Sequence, residues 1–280
     1  MEIHHHQADE GLALSLWWLS YPLLGVFAGF VAGLFGVGGG LTIVPLLFMI
    51  FTAQQFPVEH SMHLALGTSM TTIVFTSVSS MRAHHGHGAV RWDIVKSFAP
   101  GLVAGTLAGS FLAAWVPTRP LAIMFTAIVY YASLQIMLDF KPKAHRQLPG
   151  TPGMVGAGTL IGVFSSLVAA GGGFLSIPFM LFCNVSIRHA VGTSAALGFP
   201  IAVAGTVGYI GSGLKAAGLP EFSLGYVYLP ALAGVVAISF LMAPVGAGLT
   251  HRLPVKQLKR AFGGFLALLA TKMLHGLLTG

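Results

Sequence analysis

The stretch Gly36-Val-Gly-Gly-Gly-Leu-Thr-Ile-Val-Pro45 sets glycines and a proline inside an apolar run that otherwise continues from about residue 16 to residue 52. Glycine costs about 1 kcal/mol against alanine in a helix interior, and proline removes a backbone donor and clashes with the turn before it. Drawn as one helix, the run would be roughly 55 Å long at 1.5 Å per residue, almost twice the hydrocarbon core of a bilayer. The chain is therefore expected to break or fold back there. A second copy lies downstream: Ala169-Ala-Gly-Gly-Gly-Phe-Leu-Ser-Ile-Pro178 repeats the glycines, an apolar spacer with one hydroxyl (Thr42 in the first copy, Ser176 in the second) and the proline at the same offset.

Composition places both copies in a membrane. The chain of 280 residues is 55% hydrophobic and 8% charged, against about 25% charged in a soluble domain. Apolar segments cover nearly the whole length, which leaves no room for a soluble domain of useful size. The formal charge of +7 comes from Lys and Arg grouped between apolar spans, so these cations read as topology signals and not as a nucleic-acid surface. Cys183 is the one cysteine; it has no internal disulfide partner and reads as a small core hydrophobe.

Counted against a span of about 20 residues, the chain divides into a polar N-terminal tail (1–15, with His4, His5 and His6), a first membrane repeat (16–140), a cytoplasmic linker (141–152) and a second membrane repeat (153–280). After each glycine break three spans follow, at 63–81, 97–116 and 121–138, then at 190–212, 225–249 and 261–278. The cationic loops Arg82 to Lys96, Lys141 to Arg146 and Arg252 to Arg260 are all expected on the cytoplasmic side. Only an even number of crossings then separates the second loop from the third, so each glycine-broken segment must return to the side it left. The fold expected is an all-α polytopic membrane protein of two inverted repeats, each a glycine-broken helical hairpin plus three transmembrane helices.

A hairpin tip inside the bilayer must be satisfied by protein or by a water-filled cavity. Helix starts there offer free N–H groups and about half a positive charge. Gly38, Gly39, Gly40 and Thr42 in the first copy, and Ser166, Gly171, Gly172, Gly173 and Ser176 in the second, are the candidate anion-binding residues. Gly67-Thr68-Ser69 and Gly192-Thr193-Ser194, near the start of the span after each hairpin, are candidates to complete the site with hydroxyls. No Asp, Glu, Lys or Arg falls mid-span, and no catalytic nucleophile, acid pair or metal-ligand cluster lies within the spans. His84, His85 and His87 read as a solvated loop and not as a metal site. Neither an enzyme nor a cofactor is expected.

At the glycine hairpins and the Gly-Thr-Ser triplets the sequence resembles the TauE/SafE sulfite exporter family, also called the toluene sulfonate uptake permease family. Phe35-Gly-Val-Gly-Gly-Gly40 with Pro45 carries the likeness, Ala65-Leu-Gly-Thr-Ser69 supports it, and the similarity runs from about Tyr21 to Leu278. The second half has Ala169-Ala170 where a glycine is common before the triplet. The resemblance implies a two-halved carrier in the cytoplasmic membrane that moves sulfite or a small organosulfonate anion. The sequence reading on its own adds alternating access and outward movement, with a carrier or channel for another small metabolite anion as the alternative. An inside-negative potential of 100 mV favours export by about 2.3 kcal/mol per negative charge. The expected partners are that sulfur-containing anion and the lipid bilayer, with a homo-oligomer left open.

Overall fold

The computed structural model describes residues 2–35, 39–138, 146–249 and 255–279. Its elements in chain order are α1 (Glu2–Phe35), α2 (Gly40–Ala53), α3 (Val58–Gly86), α4 (Trp92–Trp115), α5 (Thr118–Met137), α6 (Thr151–Val168), α7 (Gly173–Phe182), α8 (Ile187–Gly213), β1 (Ser223–Leu224), β2 (Val227–Tyr228), α9 (Leu229–Leu249) and α10 (Val255–Thr279). Among the described residues 7 helices (α3 to α6 and α8 to α10) are long and apolar enough to cross a membrane, and α2, α7 and Trp18–Leu34 of α1 are shorter apolar helices. The polar residues 2–15 fall within α1, and the helical ends of α3 extend past the apolar 63–81 because polar residues such as Glu59 and Arg82 continue a helix without adding hydropathy. The span expected from 225 begins instead with an antiparallel two-strand ribbon, Ser223 opposite Tyr228 and Leu224 opposite Val227. Gly225 turns it with a φ of 55°.

Both broken segments fold back. At Gly39 an added Cβ would lie 3.0 Å from the Ala28 carbonyl oxygen and 3.4 Å from the Ala32 side chain, so the chain returns beside α1 as soon as α2 begins. At the far end of α2 the Tyr21 hydroxyl donates to Gln54 Oε1 at 3.0 Å. In the second copy the Arg146 N–H, ahead of α6, donates to the Phe182 carbonyl at the end of α7. The glycines make these breaks: Gly39 and Gly172 precede α2 and α7 with φ of 77° and 85°, a left-handed backbone that costs other residues roughly 1–2 kcal/mol. Pro45 and Pro178 instead sit inside α2 and α7. Gly36 and Gly38 lie outside the described residues.

The two halves pack across each other. The most extensive helix contacts are α1 with α9 and α4 with α6, which exchange under the correspondence of the first five helices with the last five. Both pairs run parallel. Gly25 meets Val235, Gly29 meets Ser239 and Gly246 meets Phe30; Gly101 meets Val155, Gly105 meets Thr159 and Gly109 meets Val163. An added Cβ at Gly29 would sit 2.4 Å from the Ser239 carbonyl oxygen and one at Gly105 2.0 Å from that of Thr159, so only glycine admits these backbones so close. Helix α3 also runs parallel to α9, since Gly67 meets Tyr226 and Ser79 donates to the Phe240 carbonyl. It runs antiparallel to α4, since His63 near its start reaches the Ala113 and Val116 carbonyls at 3.1 Å. Helices α5 and α10 are antiparallel, joined by Ser133 to the Gly263 carbonyl and Arg119 to that of Leu277.

These directions put the α3–α4, α5–α6, α7–α8 and α9–α10 connections at one face. That face carries Arg82, Arg91, Arg146 and Arg188, while Arg119, Lys215 and Lys272 mark the other. The positive-inside bias assigns the first face to the cytoplasm. In a Cys183→Ala background, Lys215→Cys is expected to react with an impermeant maleimide on intact cells, and Gly88→Cys only after permeabilisation. A second expectation concerns Ala169, which holds a φ of 45°. Ala169→Gly should stabilise the protein by about 1 kcal/mol by removing left-handed strain, raising Tm by a few degrees in detergent.

Candidate functional site

The tips of the two hairpins touch. A Cβ at Gly40 would lie 1.6 Å from the Ala169 carbonyl oxygen and 3.1 Å from Ile73, so the start of α2 abuts the end of α6. The second tip is wedged between α3 and α8: the Gly171 carbonyl oxygen lies 2.8 Å from where a Cβ of Gly198 would be, and Gly172 packs on Leu197 and Ile201. In this way the structure joins Gly40 of one copy to the Ala169–Gly172 turn of the other.

The first turns of α2 and α7 carry Thr42 and Ser176, two residues after Gly40 and three after Gly173. Both are fully buried, and neither hydroxyl has a hydrogen-bond partner among the described residues. Burying a hydroxyl without a partner costs roughly 1–3 kcal/mol, so two such hydroxyls beside two helix starts mark a place where a polar ligand would complete the bonding. Backbone N–H groups at each start supply further donors. The first intrahelical bonds run from Thr42 and Ile43 to the Gly39 carbonyl and from Ser176 to that of Gly172.

The Gly-Thr-Ser triplets lie elsewhere. Thr68 Oγ1 accepts the Tyr228 N–H at 2.9 Å and Thr193 Oγ1 accepts the Arg91 N–H at 3.0 Å. Gly67 packs on the Tyr226 backbone and Gly192 on that of Ala89. Each triplet thus grips the segment leading into the third long helix of the opposite half, at opposite faces of the bundle. Ser194 donates to the Val191 carbonyl. Ser69 is fully buried and its hydroxyl has no partner among the described residues. Ser166 donates to the Val163 carbonyl while its own carbonyl accepts the Tyr209 hydroxyl at 2.9 Å, which ties α6 to α8.

A small cavity opens beside the second tip, lined by Ala32, Thr76, Ser77, Ser80, Gly171, Ala195 and Gly198. Of these the sequence reading singled out only Gly171. The missed signal was a row of hydroxyls at four-residue spacing on α3, Thr68, Thr72, Thr76 and Ser80, all buried. On the far side of the tips from the α3–α4 face, Phe51, Phe56 and Tyr228 form a mutual ring cluster with centroids 5.0 to 5.6 Å apart. Tyr226 adds the His63 ring at 5.0 Å. Among the histidines of the α3–α4 connection, His85 accepts the Trp92 indole N–H and His87 bonds the Ala83 carbonyl.

The profile of the family described as "Sulfite exporter TauE/SafE" matches residues 21–273. The chain belongs to this family. It is 37% identical to a "Probable membrane transporter protein" of Haemophilus influenzae over 90% of its own length and 96% of that relative's. It is 29% identical to "Probable membrane transporter protein YdhB" of Bacillus subtilis, over 85% of its length and 91% of the relative's. A Methanocaldococcus jannaschii protein, "Probable membrane transporter protein MJ0441", is 23% identical over 91% and 96% of the two lengths. No solved structure matches. The chain is a multi-pass membrane transporter of the TauE/SafE family and not an enzyme.

The triplet contacts carry an expectation of their own. Thr68→Val leaves the Tyr228 N–H without its acceptor and Thr193→Val does the same to that of Arg91, each at a cost of about 1–3 kcal/mol. Both variants should lower Tm, whereas Ser69→Ala, which removes an unpartnered hydroxyl, should not.

Proposed function

We propose that this transporter is a secondary carrier that exports sulfite or a small organosulfonate anion by alternating access, and that its two halves are inverted repeats. The observation that carries this reading is the pair of buried, unpartnered hydroxyls, Thr42 and Ser176, in the first turns of two short helices whose tips converge. Helix starts present N–H donors and a partial positive charge, and a sulfonate or sulfite offers oxygens around one sulfur to accept from both. No carboxylate competes for the donors, since Asp and Glu total 7 in the chain and fall near span ends or in loops.

The inverted arrangement rests on helix direction. Helix α6 runs with α4, α4 runs against α3, and α3 and α1 both run with α9, so the second half enters the membrane opposite to the first. Alternating access is supported by an asymmetry between the faces. The cavity beside the tip lies toward the cation-bearing face, while the Phe51, Phe56, Tyr226 and Tyr228 cluster covers the other.

The test is sulfite and organosulfonate flux in proteoliposomes. Thr42→Val and Ser176→Ala should each reduce flux by about tenfold or more, the equivalent of one hydrogen bond to a charged ligand. Neither should lower Tm by more than a few degrees. Unchanged flux in both variants would remove the site. Saturable flux with counterflow is expected, and its absence would favour a channel.

A further inference from the structure

The cavity beside the second tip differs in chemistry from the helix starts that face the anion. Thr76 Oγ1 bonds the carbonyls of Thr72 and Ile73 at 3.4 Å, and Ser77 Oγ donates to that of Val74 at 3.0 Å. With their protons directed to their own helix, both hydroxyls present lone pairs to the cavity. Ser80 adds a hydroxyl that is 3% exposed and has no partner among the described residues. The Gly171 carbonyl follows the last turn of α6, where a helix end carries about half a negative charge. Every polar group identified around the space is thus an oxygen able to accept or coordinate. The space has room for about one water molecule, which is too small for a sulfur oxyanion.

We infer that this cavity is a binding site for a monovalent cation of sodium size. Hydroxyls and unwound carbonyls at a broken helix are the donors that replace a sodium ion's hydration shell in membrane carriers. Divalent cations recruit carboxylates, and no carboxylate lines this space; a proton would need a titratable side chain, and none lines it either. Ala32, Ala195 and Gly198 close the remaining walls with little bulk, and Gly198 lets α8 approach the Gly171 carbonyl. The cation would sit against the same tip that offers the α7 start to the anion, so each ion lowers the electrostatic cost of the other and their binding is coupled. That coupling rests on the anion-transport reading, whereas the cation site itself does not.

Sodium binding without any sulfur anion tests the site. The full chain in detergent is melted in sodium, potassium and choline chloride at equal ionic strength, and radioactive sodium binding is measured in parallel. Sodium should raise Tm saturably over choline, with at least tenfold tighter apparent binding than potassium. Ser80→Ala should weaken sodium binding tenfold or more with Tm in choline unchanged, and Thr76→Val should act in the same direction. Equal melting in all three salts overturns the proposal, as does a sodium response preserved in both variants. In proteoliposomes an inward sodium gradient should alter anion flux. Sodium binding with no sulfite or sulfonate flux would defeat the anion reading and leave the cation site standing.

Discussion

Everything in this molecule is arranged around one backbone contact, the start of α2 at Gly40 against the carbonyl of Ala169. Peptide groups that leave a helix inside a bilayer have no water to bond, so they must be met by protein or by an internal cavity. Here the two breaks abut one another. The α6 end carries carbonyls without intrahelical partners and the α2 start carries N–H groups in the same condition, and their opposite partial charges attract. A side chain at position 40 would separate them, so glycine is needed there for closeness, whereas Gly39 and Gly172 are needed for their left-handed φ.

Holding two breaks together requires that the helices bearing them be locked, and the lock is made between halves rather than within them. Helix α1 lies on α9 and α6 on α4, with glycines at the crossings. In lipid, where apolar burial offers little drive for helix association, close van der Waals approach of this kind supplies much of it. The Gly-Thr-Ser triplets add two directional bonds, Thr68 to Tyr228 and Thr193 to Arg91, one at each face. A rocking of one half against the other would have to strain one of these while sparing its counterpart, so the bonds sit where a two-state motion would be decided.

The sequence disclosed the paired glycine motifs, the fold-back and the membrane setting, because those follow from glycine position, span length and the placement of cations. It disclosed the site less evenly. Thr42 and Ser176 stood out as the one hydroxyl between the glycines and the proline of each copy. The triplets were equally conspicuous, yet their Gly and Thr members face backbone of the opposite half, a pairing that depends on tertiary packing no local pattern encodes. The α3 row of Thr68, Thr72, Thr76 and Ser80 was visible as a four-residue period but was hidden by the triplet it overlaps. The ribbon at β1 and β2 was missed because Gly225 to Tyr228 is apolar enough to pass for the start of a span.

The corresponding row on α8 reads Thr193, Leu197, Ile201 and Gly205, apolar where α3 is hydroxylated. The space beside the second tip is therefore hydroxylated on its α3 wall and apolar on its α8 wall. An exact repeat would offer equivalent subsites to one ligand; this departure makes the subsites unlike, with donors at the helix starts and acceptors along α3. Moving a lone ion through a low-dielectric core is costly, and the cost of binding it there falls when an opposite charge is held close by. A transporter with no ionised side chain at mid-span can reach the same end with backbone dipoles and hydroxyls, provided they are sorted by sign. The divergence of α3 from α8 is what does that sorting.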